Sequence, residues 1–273
     1  IGIVAASYGA ILVNNPSKEN ITLASYVLIP AILISAMGLV DDLRGLEPWP
    51  RLIVQTLTAA VVAGTLVLTN TMGVAFQSSA LNVLVSILWI VGVCNSINFF
   101  DNLDGGAAGT VAVITFFVFL IAFDRGQVLV SALAIVTAGA TTVFRFWNRS
   151  PAKIYRGDAG ALHLGIIVSV LTIRLNPGIA PSYMSFAIPL SLLAVPILDT
   201  SVAVISRLNR GISPFTGGKD HLSHRLMRKG LNKQSTAFAL WGAQAIFVCA
   251  ALAVYKWTSA IGTQLIIAAA IAW

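Results

Sequence analysis

Residues 80–123 read ALNVLVSILWIVGVCNSINFFDNLDGGAAGTVAVITFFVFLIAF. Two apolar runs, 80–100 and 107–123, enclose a short polar turn, and the only charges in the stretch are Asp101 and Asp104. One helical crossing of a bilayer takes about 20 apolar residues, so each run is long enough to cross and the turn stands at a membrane edge. The pattern repeats outward in both directions. Candidate spans fall at 1–13, 21–40, 52–69, 80–100, 107–123, 127–144, 162–175, 184–205, 235–255 and 259–273. The 273 residues are 57% hydrophobic and 10% charged, against about 25% charged in an ordinary soluble domain. That leaves too few charges to coat a soluble globule, and the chain is rich in the residues that disordered segments lack. The expected fold is an all-α polytopic integral membrane protein of about ten transmembrane helices. Ile1 and Trp273 lie inside apolar runs, so the first and last spans are read as clipped. Cys94 and Cys249 sit in apolar runs and read as small buried hydrophobes.

Four polar loops, 41–51, 101–106, 145–161 and 206–234, are each separated from the next by two spans, so all four emerge on one face. That face carries 13 of the 17 Lys and Arg, against Lys18, Arg125, Arg174 and Lys256 on the other, which makes it cytoplasmic by the positive-inside rule. The same face holds Asp41, Asp42, Asp101, Asp104, Asp158 and Asp220. Topology accounts for the cations but not for six aspartates gathered among them.

The chemistry of each loop follows from its residue types. In the first, Asp41 and Asp42 are adjacent carboxylates where a span meets water, suited to a general base or a metal site, or to simple helix capping. In the second, Asn95, Asn98 and Asn102 recur on one helical stripe that Asp101 and Asp104 continue. An Asp inside the bilayer costs about 2.5–3.5 kcal/mol on the insertion scale; a hard cation with an oxygen shell, or an interhelical hydrogen-bond network, would offset such a cost. The third loop sets Asp158 in a G-D-x-G turn before an apolar run. It reads as an N-cap or as a second metal ligand, with Tyr155 a stacking surface and Lys153 or Arg156 facing phosphate.

In the fourth loop, His221 and His224 share a helical face, but no H-E-x-x-H and no Cys accompany them, so anion binding by Arg207, Arg210, Lys219 and the His pair fits better than zinc. His163 reads as structural, and Arg174 as snorkelling to the far surface. Span 184–205 contains Pro189, Pro196 and Asp199, which predicts a bent helix with an inward-facing carboxylate and a lateral groove for a lipid chain. Acids with metal-ligand chemistry beside phosphate-binding cations are the requirements of phosphoryl transfer. The chain has no Walker loop, so ATP hydrolysis is not expected, and no nucleic-acid partner is expected.

These residues resemble the polyprenyl-phosphate N-acetylhexosamine-1-phosphate transferases, the WecA, TagO and MraY type of glycosyltransferase family 4. The family's G-x-x-D-D stands at Gly38 to Asp42, and its N-x-x-N-x-x-D-x-x-D-G at Asn95, Asn98, Asp101, Asp104 and Gly105. P-A-x-x-x-x-G-D-x-G stands at Pro151, Ala152, Gly157, Asp158 and Gly160, and P-x-x-D-T at Pro196, Asp199 and Thr200. S-P-F followed by a His cluster stands at Ser213, Pro214, Phe215, His221 and His224. The departures are Ser223 within the usual H-x-H-H, Ala161 for Ser, Gly106 for Leu, and Arg51 for Lys.

The resemblance implies a single transmembrane catalytic domain over 1–273, with an earlier span and a first cytoplasmic loop of the family missing. It implies transfer of a sugar 1-phosphate, N-acetylglucosamine 1-phosphate on the hexosamine branch, from a UDP-sugar to undecaprenyl or decaprenyl phosphate, with release of UMP and Mg²⁺ (or Mn²⁺) as cofactor. By position, Asn98 and Asp158 would hold the metal, and Asp41 or Asp42 would deprotonate or orient the lipid phosphate. Asp101 and Asp104 would complete the acidic cluster and contact the nucleotide, with Asn95 beside them, and Tyr155 would lie against uracil. His221, His224 and Arg210 would bind the diphosphate or sugar. A bacterial plasma-membrane location, a cytoplasmic site and a homodimer are implied as well. The alternatives are the phospho-N-acetylmuramoyl-pentapeptide transferase of the same family and, from another class, a cation-coupled transporter, which would place its acids near the midplane.

Overall fold

The computed structural model describes residues 1–14, 17–179 and 182–272, with side chains over 1–13, 17–179 and 185–257. The described residues form helices and loops, with no strand. In chain order the helices are α1 (Gly2–Asn14), α2 (Lys18–Arg44), α3 (Pro48–Leu68), α4 (Ser79–Phe100), α5 (Gly106–Asp124), α6 (Val128–Asn148), α7 (Gly157–Arg174), α8 (Ser182–Leu192), α9 (Ala194–Leu208), α10 (Leu222–Arg228) and α11 (Lys233–Ala272). Backbone groups have no water to bond in a bilayer, so an all-helical fold is what this composition demands.

The expected count of about ten spans is approximate. Among the described residues, seven helices are long and apolar enough to cross, with mean hydropathies of 1.3 to 2.3 in their best windows, and an eighth is counted if the bent pair α8–α9 is one span. α1 has 13 residues, about 20 Å of helix at 1.5 Å per residue, which falls short of a bilayer core of about 30 Å. The runs 235–255 and 259–273 both lie in α11, which a kink at Trp257 (φ −125°, ψ 30°, outside the helical region) divides between them, and Lys233–Trp257 is by itself long and apolar enough to cross.

α7 is the axial helix. Thirteen of its 18 residues are buried, where it packs along α2 and α4 and touches α5 and α6. The core is one cluster, mostly of Leu, Ile, Val and Ala, drawn from α1 to α8, with Val248, Ala251 and Val254 of α11. Lipid-facing surfaces of α3, α4 and α6 stay apolar and exposed, as at Leu57, Leu88 and Val143.

The bend expected from the prolines occurs: α8 and α9 meet at 68°. The backbone groups freed there are met by the fully buried Gln244 of α11. The Val195 N–H donates to its Oε1 at 3.2 Å, and its Nε2 donates to the Leu192 carbonyl at 2.9 Å. Arg174 does not snorkel. It is buried at the far end of α7, where its Nη1 donates to the Leu23 carbonyl at 3.3 Å.

Candidate active site

The four polar loops meet at one end of the bundle. Asp101 of the second loop pairs through both oxygens with Arg156 of the third. The Gly105 N–H donates to the Asn148 side chain at 3.0 Å, and Asn148 in turn donates to the Ile154 carbonyl at 2.9 Å. Ser223 of α10 donates to the Asn102 side chain, and Gln234 of α11 donates to the Ser150 carbonyl at 2.8 Å. Lys233 lies 3.5 Å from Asp104.

At the centre of this ring stand Asp41, Arg51, Asn98 and Asp158, one each from α2, α3, α4 and α7. α2 ends at Gly45 in the left-handed region, and Pro48 opens α3, so the chain reverses within four residues. Asp41, 7% exposed, holds that reversal: its Oδ1 accepts the Leu46 N–H at 2.7 Å, and its Oδ2 accepts Arg51 Nη1 at 2.6 Å. The same Nη1 donates to Asp158 Oδ2 at 3.1 Å, so one guanidinium joins carboxylates 117 residues apart in the chain. Asn98 Nδ2 donates to Asp158 Oδ1 at 2.9 Å. Asp158 is not the N-cap of its own helix, as one reading of G-D-x-G has it, because its carboxylate faces Arg51 and Asn98. Asp42 instead receives the N–H groups of Asp158 at 2.8 Å and Ala159 at 3.1 Å.

The other expected residues divide by direction. Asn95 sits one turn below Asn98 and donates to Gln55 of α3 at 2.6 Å. Lys153 lies 5.8 Å over the Trp147 ring, and Tyr155, 75% exposed, stands on the open side of the third loop. Arg207 and His221 turn inward. His221 Nδ1 lies 2.7 Å from the fully buried Asp199, whose other oxygen accepts the Leu222 N–H at 2.6 Å. Arg207 Nη2 is 3.3 Å from His221 Nε2. Arginine only donates, so Nε2 is the acceptor and Nδ1 carries the proton; both ring nitrogens are engaged within the protein. Arg207 also donates to the Pro214 carbonyl at 2.7 Å and to Asp220 at 3.2 Å.

Arg210 is half exposed while it pairs with Asp220. The partial desolvation of Asp220 opposes its ionisation, but Arg207 and Arg210 outweigh this and hold its carboxyl below the usual range. His224 is partly buried beside His221, with ring centroids 6.3 Å apart. Desolvation first, then the nearby positive charges of Lys219 and Arg228, push its imidazole below the ordinary histidine value, so it is neutral at pH 7.

Arg51, Gln55, Asn148 and Ser223 carry the site's geometry, and Gln244 the α8–α9 break; none was expected in these roles. Arg51 had one available signal, a cation placed ten residues after Asp41 at the start of the next span. The amides had none, since an isolated Asn or Gln in an apolar run has no spacing that names its partner.

No three His, Cys, Asp or Glu side chains converge among the described residues, so no all-protein metal cage is present there. Mg²⁺ needs no such cage, being bound by one or two carboxylates together with substrate oxygens. Asp158 and Asn98 offer hard oxygen donors of that kind, a half-turn of the Asn98 amide bringing its oxygen beside Asp158. The acids lie at one end of the spans and not at mid-depth, which is the arrangement of a surface reaction centre and not of a transport pathway.

A model of the family described as Glycosyl transferase family 4 matches residues 24–176. The chain is 30% identical over 257 residues to the probable undecaprenyl-phosphate N-acetylglucosaminyl 1-phosphate transferase of Bacillus subtilis, covering 92% of this chain and 70% of that protein. It is 30% identical over 236 residues to the decaprenyl-phosphate N-acetylglucosaminephosphotransferase of Mycolicibacterium smegmatis, covering 75% of this chain and 56% of that one. Over 164 residues it is 30% identical to the phospho-N-acetylmuramoyl-pentapeptide-transferase of Streptococcus thermophilus, covering 55% of this chain and 48% of that one. The chain thus spans between about half and seven-tenths of the length of these relatives. With apolar helices that cross the membrane several times and a polar cluster at one end of them, the chain belongs to glycosyl transferase family 4.

Proposed function

We propose that this protein transfers N-acetylglucosamine 1-phosphate from the UDP-sugar to a membrane polyprenyl phosphate of the undecaprenyl or decaprenyl class, releasing UMP. The observation that carries the reading is the Arg51 bridge between Asp41 and Asp158 with Asn98 on the far side of Asp158, four residues from four helices converging at a membrane edge. The hexosamine branch is favoured because the relatives named for N-acetylglucosamine align over 75% to 92% of the chain, and the muramoyl-pentapeptide relative over 55%.

Asp158 and Asn98 would hold Mg²⁺ at this centre. When bound, the ion supplies charge to offset the diphosphate and the leaving UMP. Arg51 and Asp41 orient the acceptor phosphate. Asp101 is fixed by Arg156 and completes the acidic wall, while Arg210 and His224 face the open side, where a diphosphate or sugar would lie. Tyr155 is exposed where a uracil ring can stack. The cationic excess on this end supports a cytoplasmic site on a bacterial plasma membrane. The homodimer that the resemblance implies is read by the mass of the purified protein in nanodiscs.

The test is UMP release from UDP-N-acetylglucosamine with polyprenyl phosphate, in the full-length protein and in Asp158→Ala. Release that requires Mg²⁺, disappears with chelator and is lost in Asp158→Ala is the expected result. Release only from UDP-muramoyl-pentapeptide moves the assignment to the other branch, and unchanged turnover in Asp158→Ala removes the metal assignment.

A further inference from the structure

The adjacent carboxylates of the first loop face different elements. Asp41 is turned toward Arg51 and the Leu46 amide. Asp42 lies about 100° further round α2 and reaches the start of α7, where one oxygen accepts the Asp158 N–H at 2.8 Å and the other accepts the Ala159 N–H at 3.1 Å. The first N–H groups of a helix have no partner within it and usually take one from the helix's own N-cap side chain. α7 has no such cap, because Arg156 occupies that position with its guanidinium committed to Asp101. Asp158 cannot serve either, its carboxylate lying on Asn98 and Arg51. The cap therefore comes from another helix, 116 residues away in sequence.

Two glycines make that approach possible. A Cβ at Gly38, one turn before Asp42 on the same face of α2, would stand 2.7 Å from the Ala159 Cα. A Cβ at Gly157, whose φ is +65°, would stand 2.5 Å from the Asp42 carboxylate. Gly38, Asp42 and Gly157 thus form one device that joins α2 to the first turn of α7, and a carboxylate there also complements the positive end of the helix dipole.

We infer that Asp42 is a positioning residue, a cap supplied in trans that fixes the first turn of α7 and so aims the Asp158 carboxylate at Asn98 and Arg51. It is not the base for the acceptor phosphate. Its effect on turnover rests on the proposed role of Asp158; the cap itself stands on geometry alone.

The experiment compares full-length wild type, Asp42→Asn and Asp42→Ala in lipid nanodiscs by two readouts, UMP release and deuterium exchange of the amides of residues 158 and 159. Asp42→Ala should accelerate exchange at those amides by about fivefold, the equivalent of one lost cap, and reduce turnover about 100-fold as Asp158 shifts. Asn keeps one of the two acceptor oxygens and accepts no proton, so Asp42→Asn should keep one of the two amides protected and lie between wild type and Asp42→Ala in turnover. Equal loss of turnover in Asn and Ala, or unchanged exchange in Ala, overturns the inference. If wild type releases no UMP from the proposed donor, the functional reading fails while exchange, which needs no substrate, still judges the cap.

Discussion

Both ends of the bundle carry charged clasps, but they are built differently. At the far end Asp124 of α5 meets Tyr255 and Lys256 of α11 at an exposed rim, with Lys256 Nζ at 3.1 Å. Nearby, Gln127 donates to the Arg174 carbonyl at 3.1 Å and accepts the Asn176 N–H at 3.0 Å, and the Gly73 N–H donates to the Ile173 carbonyl at 2.9 Å. These contacts join neighbouring helix ends and loops at the surface, and an apolar cavity of about 230 Å³ at this end is lined by residues such as Met72, Phe76, Trp89 and Phe186. At the polar-loop end, single side chains serve several partners at once. Arg51 joins two carboxylates, Asp42 caps a remote helix, and Arg207 holds a carboxylate, a carbonyl and an imidazole. A clasp that only closes a bundle can lose one member and lean on its neighbours. Where one group sets the position of several others, its loss reaches all of them.

That contrast is broken most severely at Arg51. Arg51→Ala leaves Asp41 and Asp158 facing each other without their shared counter-charge, and turnover should fall by about 100-fold or more; a loss below threefold in UMP release would make Arg51 as dispensable as a rim residue. Next comes Asp199→Ala, which strips a fully buried acceptor from His221 and Leu222. It should destabilise the fold by about 3 kcal/mol, read as a lower midpoint of thermal unfolding in detergent, and should weaken donor binding as the fourth loop loosens. Gln244→Leu removes the partner of the α8–α9 break and should cost about 1–3 kcal/mol by the same measurement.

At the far end, Asp124→Asn should leave turnover unchanged, since the pair there is exposed; a large loss would show that the two ends are coupled.

The smallest effect is one of pH. The imidazole of His224 sits below the ordinary value of 6.5 in the folded protein. Above 6.5 both folded and unfolded states are neutral there and the residue contributes nothing to the pH dependence. Below it the unfolded chain takes up the proton first, so stability falls with acidification until the folded state also protonates. His224→Gln should flatten that slope in unfolding midpoints recorded between pH 7 and pH 5.

Span positions from α2 to α7, the four loops and the bend before the fourth loop were legible because they follow from solvent and period: apolar runs of bilayer length, and prolines where a ladder must break. The residues that converge were legible by type. Asp41, Asn98 and Asp158 meet as chemistry of their kind requires, even though the chain does not print who lies next to whom. What escaped reading were relations between remote segments. Asp42 looked like a twin of Asp41 because adjacency in sequence says nothing of two directions around a helix. His221 looked like a ligand for phosphate, whereas the buried Asp199 holds its ring inward. Arg174 looked like a snorkelling cation, but the Leu23 carbonyl gave it a partner inside. The break within α11 was legible in the polar residues at 256–259, where the kink at Trp257 falls.

The amide of Gln244 has a consequence for the order in which the molecule is assembled. The Leu192 carbonyl and the Val195 N–H are completed by a side chain that is synthesised about 50 residues later, on α11. During synthesis α8 and α9 enter the bilayer before that partner exists, and open backbone groups in hydrocarbon are costly. Pro196 has no N–H to offer the Leu192 carbonyl even in a straight helix, so that carbonyl waits for Gln244, and the 68° bend is secured when α11 docks. The lateral face that the bend shapes is therefore completed late in folding, when α11 packs against it.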